Sequence, residues 1–302
     1  MNIFNLKVFP ATLLAVGLTL SALGFAADSA LPKKPEVQSQ ASLSAEPEVN
    51  KKTADAAAEK RKHLIADAQT AIVETRKALR ALEENKSKEA VNALAIATGK
   101  LELVLARNPG LALAPVDMEI VTQDLLSNPD TVKTVIKEAR EDLSNGEIQK
   151  VRPLIANLAS EIQFRTINIP LATYPVAIKA ITPLIDAGKI DEAKVGLQTT
   201  LNTLVITTNV IPLPKLRSEY LIKMAQTLAE KKDRSKEESD QLANDIKGAR
   251  EQLQMAELLG YGKKKDYKPM YEQLDEIEKK TANGKSGMGW FDKIKKQLSA
   301  LI

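Results

Sequence analysis

Side chains able to do chemistry are few in this sequence, and their spacing does not assemble a reaction. The chain of 302 residues has one histidine, His63, in a Lys-Arg-Lys-His cluster, and no cysteine. Without cysteine or a second imidazole the common zinc ligand sets cannot be built, and a Ser-His-Asp triad would have to rest on His63 alone. A Gly-x-Ser-x-Gly nucleophile elbow is absent. Gly284, Lys285 and Ser286 end like a phosphate-binding loop, but position 279 is lysine and no strand pattern precedes it, so the run reads as a linker. Carboxylates are plentiful, as at Glu138, Glu141 and Asp142 or at Asp186, Asp191 and Glu192. They fall where helices need solvated faces and cap charges, and no spacing marks an acid and base pair or a calcium loop. The expectation is a protein without catalytic residues, metal or cofactor.

Two groups of residues remain as candidates for contact. Tyr174 and Pro175, with Tyr220, could line a groove or could equally fill a core. Trp290, Phe291, Ile294 and Leu298 share one face of a C-terminal helix, opposite Lys293, Lys296 and Gln297 and behind the glycine-rich run 284 to 289. Such a basic amphipathic helix could lie on a membrane surface, or its apolar face could dock on the protein's own bundle.

The elements that would position these groups are helices. Hydrophobic residues make up 44% and charged residues 27%, the balance of a globular protein, while aromatics are only 4%, so a core must be filled with Leu, Ile, Val and Ala. A formal charge of +4 over this length is no nucleic-acid footprint. Residues 1 to 26 read as a cleavable signal peptide, with Lys7, an apolar run from Val8 to Gly24, and Gly24 and Ala26 before the cut. The alternative is an uncleaved anchor. Residues 27 to 52 are poor in large apolar side chains and are expected as a disordered leader. From about Thr53 a long helix is expected to run through the stripe Leu64, Ile65, Ala68, Ile72, Thr75, Leu79 and Leu82.

One pattern is then written twice. Moving 131–172 forward by 42 positions lays Leu143 on Ile185, Gly146 on Gly188, Val151 on Ala193, Ile155 on Leu197, and Ile169-Pro170-Leu171 on Ile211-Pro212-Leu213. An offset of 61 brings in an earlier hairpin, with Leu82 on Leu143, Asn85 on Gly146 and Leu94 on Ile155. The units are 70–111, 131–172 and 173–214, each a helix, a tight turn at Gly or Asn, and a second helix. The segments 116–122, 163–169 and 204–211 are β-branched and partly alternating, and read either as three short strands of one sheet or as frayed helix ends. Further helices are expected at 215–230, from a capping box at Ser235 and Glu238 to Leu259, and at 269–281. The fold class is therefore mainly α, a helical bundle of repeated αα-hairpins in which a small β-sheet of two or three strands remains open. The helical domain spans 53–281, and 282–302 is a flexible linker with an amphipathic helix.

Ile169-Pro170-Leu171 followed by Tyr174, Pro175 and Ala177, the Gly188 turn with Asp191, Glu192 and Ala193, and the second Ile211-Pro212-Leu213-Pro214 resemble the YfdX family of bacterial exported proteins, over about 60 to 260. The resemblance implies a largely helical periplasmic protein, associated with acid and envelope stress, with a chaperone-like or small-molecule-binding role. It carries no catalytic residues across. The partners expected are unfolded or stressed periplasmic proteins or small molecules, with a homo-oligomer and a membrane surface as further possibilities and no nucleic acid.

Overall fold

In the computed structural model, residues 39–301 are described. The expected signal peptide and the first part of the expected leader, 27–38, lie outside them. Short N-terminal helices α1 (Gln40–Ser44) and α2 (Glu46–Arg61) precede the hairpin α3 (Ala66–Glu83) and α4 (Ser87–Arg107). Strand β1 (Leu113–Gln123) leads to a second hairpin, α5 (Pro129–Ser144) and α6 (Ile148–Ala156), and to β2 (Glu161–Pro170). The third unit is α7 (Tyr174–Lys179), α8 (Thr182–Asp186), α9 (Ile190–Leu201) and β3 (Val205–Pro212). Among the described residues α10 (Leu213–Glu230), α11 (Lys236–Leu258), α12 (Lys264–Thr281), a 3-10 turn (Ala282–Gly284) and α13 (Asp292–Ser299) follow.

The mainly helical class is as expected, and the open question about the β-branched segments is answered. All three are strands of one antiparallel sheet in the order β1-β2-β3, with Ile120 opposite Phe164 and Phe164 opposite Asn209. Each strand follows a helical hairpin.

The hairpin turns coincide at the aligned positions. Asn85, Gly146 and Gly188 all have positive φ, at 59°, 76° and 73°. In each turn the next amide reaches back five residues, Lys86 to the Ala81 carbonyl (2.7 Å), Glu147 to Asp142 (2.9 Å) and Lys189 to Leu184 (2.9 Å). This is the Schellman arrangement, which satisfies a helix-end carbonyl and needs a left-handed residue. The capping box is also present: the Ser235 hydroxyl accepts from the Glu238 amide and the Glu238 carboxylate from the Ser235 amide.

Four expectations are corrected. Residues 40–52 are not leader but helix, because Ser42, Ala45 and Val49 find buried positions against the rest of the chain. The long helix from Thr53 is broken at 62–65, where the Ile65 amide leaves the helical ladder and donates to the Pro115 carbonyl of β1 (2.9 Å). The first helix of the third unit is split into α7 and α8, since Pro183 lacks the amide a continuous helix would need. The run expected as a flexible linker is tied to the end of α10 and the loop after it: the Arg234 guanidinium donates to the Lys285 carbonyl (2.6 Å) and the Gly287 amide to the Ala229 carbonyl (3.1 Å).

The described residues form three apolar cores. The first joins α3 and α4 to the third unit through Leu82, Leu94, Leu101, Ile178, Ile185 and Leu197. The second gathers α10 to α13 around Ile246, Leu253, Tyr267, Met270 and Leu274. Between them a smaller one lies on the sheet, where Ile162, Phe164, Leu213 and Leu216 meet Val49 and Ala57 of α2.

Glycine substitutions separate backbone from packing. A Cβ at Gly188 or Gly99 meets nothing within 4 Å, but only Gly188 has positive φ. Gly188→Ala is expected to cost about 1–2 kcal/mol in urea unfolding, while Gly99→Ala, inside α4, gains about 0.5–1 kcal/mol.

Candidate functional site

The polar centre of the molecule is Arg217, which recurs in register with Leu213 and Leu221 along the inward stripe of α10 and is only 1% exposed. A guanidinium so placed must be paired, since an uncompensated buried charge is costly. Its Nε and Nη2 donate to Glu46 Oε1 at 2.8 and 2.6 Å, and its Nη1 and Nη2 to Asp124 Oδ1 and Oδ2 at 2.9 and 2.6 Å. Burial alone would lower the Arg217 pKa, but the hydrogen bonds and charges of Asp124 and Glu46 outweigh it and the net shift is upward. Glu46 is the first residue of α2 and Asp124 directly follows β1. One side chain of α10 thus clasps both the N-terminal helix and the sheet.

The network continues outward. The Ser160 hydroxyl donates to Asp124 Oδ1 (3.0 Å), the Ser160 amide to the Tyr261 hydroxyl (3.0 Å), and that hydroxyl to Glu161 Oε2 (2.7 Å). Burial, then the Glu161 carboxylate, pushes the Tyr261 phenol far above its usual range, against the Ser160 amide. The loop after α11 is thereby fixed to the start of β2.

Helix α2 is held chiefly by charge. Its buried apolar residues are Val49 and Ala57 alone. Besides the Glu46 clasp, Lys52 pairs with Glu219 of α10 (3.0 Å) and the Lys60 ammonium stands 5.5 Å from the centre of the Phe164 ring. Beneath it lie Ile162 and Phe164 of β2 and Leu213 and Leu216 of α10, with Met118 and Ile120 of β1 and Ile211 of β3 against them. A polar helix therefore covers an apolar sheet face.

The candidate contact residues are not gathered into one site. Tyr174 is fully buried in the first core, where burial pushes its phenol up, and Pro175 is buried beside it. Tyr220 packs half-buried against the second core, so the three line no common groove. Phe291, Ile294 and Leu298 are buried in that second core, with Leu301, and Trp290 packs on it. The C-terminal helix is therefore an integral layer of the fold, docked on α10 and α12, and its apolar face is not free for a membrane. Gly287 is required there, because a Cβ would come within 2.2 Å of the Trp290 ring. His63 is exposed in the turn between α2 and α3. Among the described residues no group of acidic or imidazole side chains could hold a metal ion, and no helix is long and apolar enough to cross a membrane.

Comparison with known proteins bears out the resemblance read from the sequence. Residues 71–210 match the family described as YfdX protein, a stretch running from α3 into β3. A solved structure of Salmonella Typhi YfdX is similar at 14% identity, covering 50% of this chain and 93% of that one, with a TM-score of 0.35. No curated protein matches the chain. Helices α10 to α13, and Arg217 with them, lie beyond the family match.

Two substitutions probe the buried charges in opposite directions. Removing a partner from Arg217, as in Asp124→Ala, is expected to cost about 3–5 kcal/mol at neutral pH. Asp245 is the reverse case: it is 2% exposed and its Oδ2 has no hydrogen-bond partner, and burial raises its carboxyl pKa against the Gln241 hydrogen bond. Its ionised form opposes folding, and that penalty disappears as pH falls through the folded-state value. Asp245→Asn should therefore gain about 1 kcal/mol at pH 7, shrinking toward acid pH, as read by thermal melts across that range.

Proposed function

We propose that the protein is a non-enzymatic, acid-responsive periplasmic stress protein, which binds exposed apolar segments of other proteins when α2 lifts from the sheet. The observation that carries this reading is the Arg217 clasp, because α2 is fastened over an apolar face by carboxylates rather than by its own apolar residues. The acceptors of Arg217 and Lys52 are Glu46, Asp124 and Glu219, all carboxylates, and strong acid neutralises carboxylates. Arg217 is then a buried cation without counter-charge, and the release of α2 relieves it. Ile162, Phe164, Leu216 and Met118 would become the client surface.

Other carboxyls act in the same direction. Asp67 is held below the usual range by the Lys100 hydrogen bond, over the opposing effect of burial, and by Arg107. Glu84 is lowered by Lys86, and Glu238 by Lys231 and the Ser235 amide. A carboxyl whose folded-state pKa is depressed contributes stability above its unfolded value that is lost as pH falls through the folded value. Acidification thus weakens ties elsewhere while leaving 43 Lys and Arg charged. Mutual repulsion among them favours opening.

The family resemblance supports the periplasmic stress setting, and the absence of catalytic spacing in the sequence supports a binding role. The test is an aggregation assay of an acid-denatured client at pH 3 to 4, with apolar dye fluorescence followed in parallel. The protein is expected to protect the client and to bind dye reversibly in that range. Glu46→Gln with Asp124→Asn should bind dye already at pH 7. Client aggregation unchanged by the protein, or a double variant as dark as wild type at pH 7, would refute the mechanism.

A further inference from the structure

The second repeat leaves open an apolar stripe that the other two repeats close. Ile185 and Leu197 of the third unit are 5% and 0% exposed, and they share the first core with Leu82 and Leu94. Their counterparts in the α5–α6 hairpin, Leu143 and Ile155, are 57% and 52% exposed. With Ala139, Val151, Leu158 and Leu258 they line a groove of about 290 Å³ between the hairpin and the end of α11. A second cleft, of about 510 Å³, shares Ile136, Arg140 and Leu258 with that groove and adds Lys133, Lys137, Lys264 and Tyr271.

The charges in the joined cleft are lopsided. Lys137, Arg140 and Lys264 have no ion-pair or hydrogen-bond partner among the described residues. Lys133 is engaged by Asp130 at 3.3 Å, and the carboxylate in the cleft, Glu257, accepts from the Tyr271 hydroxyl at 2.8 Å. Three unpaired cations beside an apolar channel complement an anion that carries an alkyl chain. They disfavour a second copy docking through the same face, which would set like charges against one another.

We propose that this cleft binds a long-chain carboxylate, with the alkyl chain along Leu143, Ile155 and Leu158 and the carboxylate among Lys137, Arg140 and Lys264. The site belongs to the closed fold at neutral pH and does not depend on the release of α2. Burial of the chain supplies affinity in proportion to the apolar area covered, and the cations select the charge.

The test is calorimetric titration of the wild-type protein at pH 7 with dodecanoate below its micellar concentration. Acetate serves as the headgroup without the chain, and dodecyltrimethylammonium as the same chain with its charge reversed. Dodecanoate is expected to bind one to one and at least about tenfold more tightly than either, a difference of about 1.4 kcal/mol. Arg140→Glu and Leu143→Glu should each weaken it by about tenfold or more, while thermal melts stay near wild type because both side chains are exposed. Equal binding of the cationic amphiphile, or indifference to Arg140→Glu, would overturn the proposal. So would a tenfold preference for lysophosphatidylglycerol, which assigns the site to a lipid headgroup. A wild-type dimer that Leu143→Glu splits would overturn it too, in favour of a second copy.

Discussion

A single guanidinium holds the parts of this molecule in register. Arg217 leaves α10 from within its apolar stripe and reaches Glu46 on one side and Asp124 on the other, so the N-terminal helix, the end of β1 and the C-terminal helices meet at one charge. Buried ion pairs add little net stability over apolar residues of similar size, but removing one partner is severe. The arrangement therefore sets geometry more than it adds stability, and it depends on two carboxylates meeting one cation.

That dependence explains the otherwise odd placement of α2. A helix with two buried apolar residues would not stay on a sheet through hydrophobic contact alone, yet it closes Ile162 and Phe164 from water. Charge fastens what burial cannot. The helical hairpin α3–α4 with the third unit, and the layer α10 to α13, have apolar interiors of their own and need no such fastening. The described residues thus hold two self-sufficient cores and, between them, a cover fastened by charge.

Much of this was legible in the sequence because it follows from short-range patterns. Helical periodicity located the hairpins, and the Gly146 and Gly188 turns with Asn85 appear at the aligned positions because only residues tolerant of positive φ fit there. The Ser235 capping box was readable for the same reason. The strands at 161–170 and 205–212 were ambiguous, since a β-branched run after a helix looks like a frayed end until a partner strand is known. What depended on distant partners was missed. Glu46 lay in a stretch too poor in large apolar residues to suggest order, and its partner is 171 positions away. Arg217 carried a signal, a charge in register with Leu213 and Leu221, but spacing alone does not name its acceptors. The C-terminal helix had an apolar face suited to membrane or protein, and only the presence of α10 and α12 beside it decides for protein.

The claim that α2 is a charge-fastened cover is tested most directly by amide hydrogen exchange, followed residue by residue from pH 7 to pH 4 and corrected for intrinsic rates. The account predicts that protection of the α2 amides collapses first, while those of β2, α3, α4, α10 and α11 stay protected. Loss of protection everywhere at once, or an α2 that remains as protected as α10 at pH 4, would contradict it.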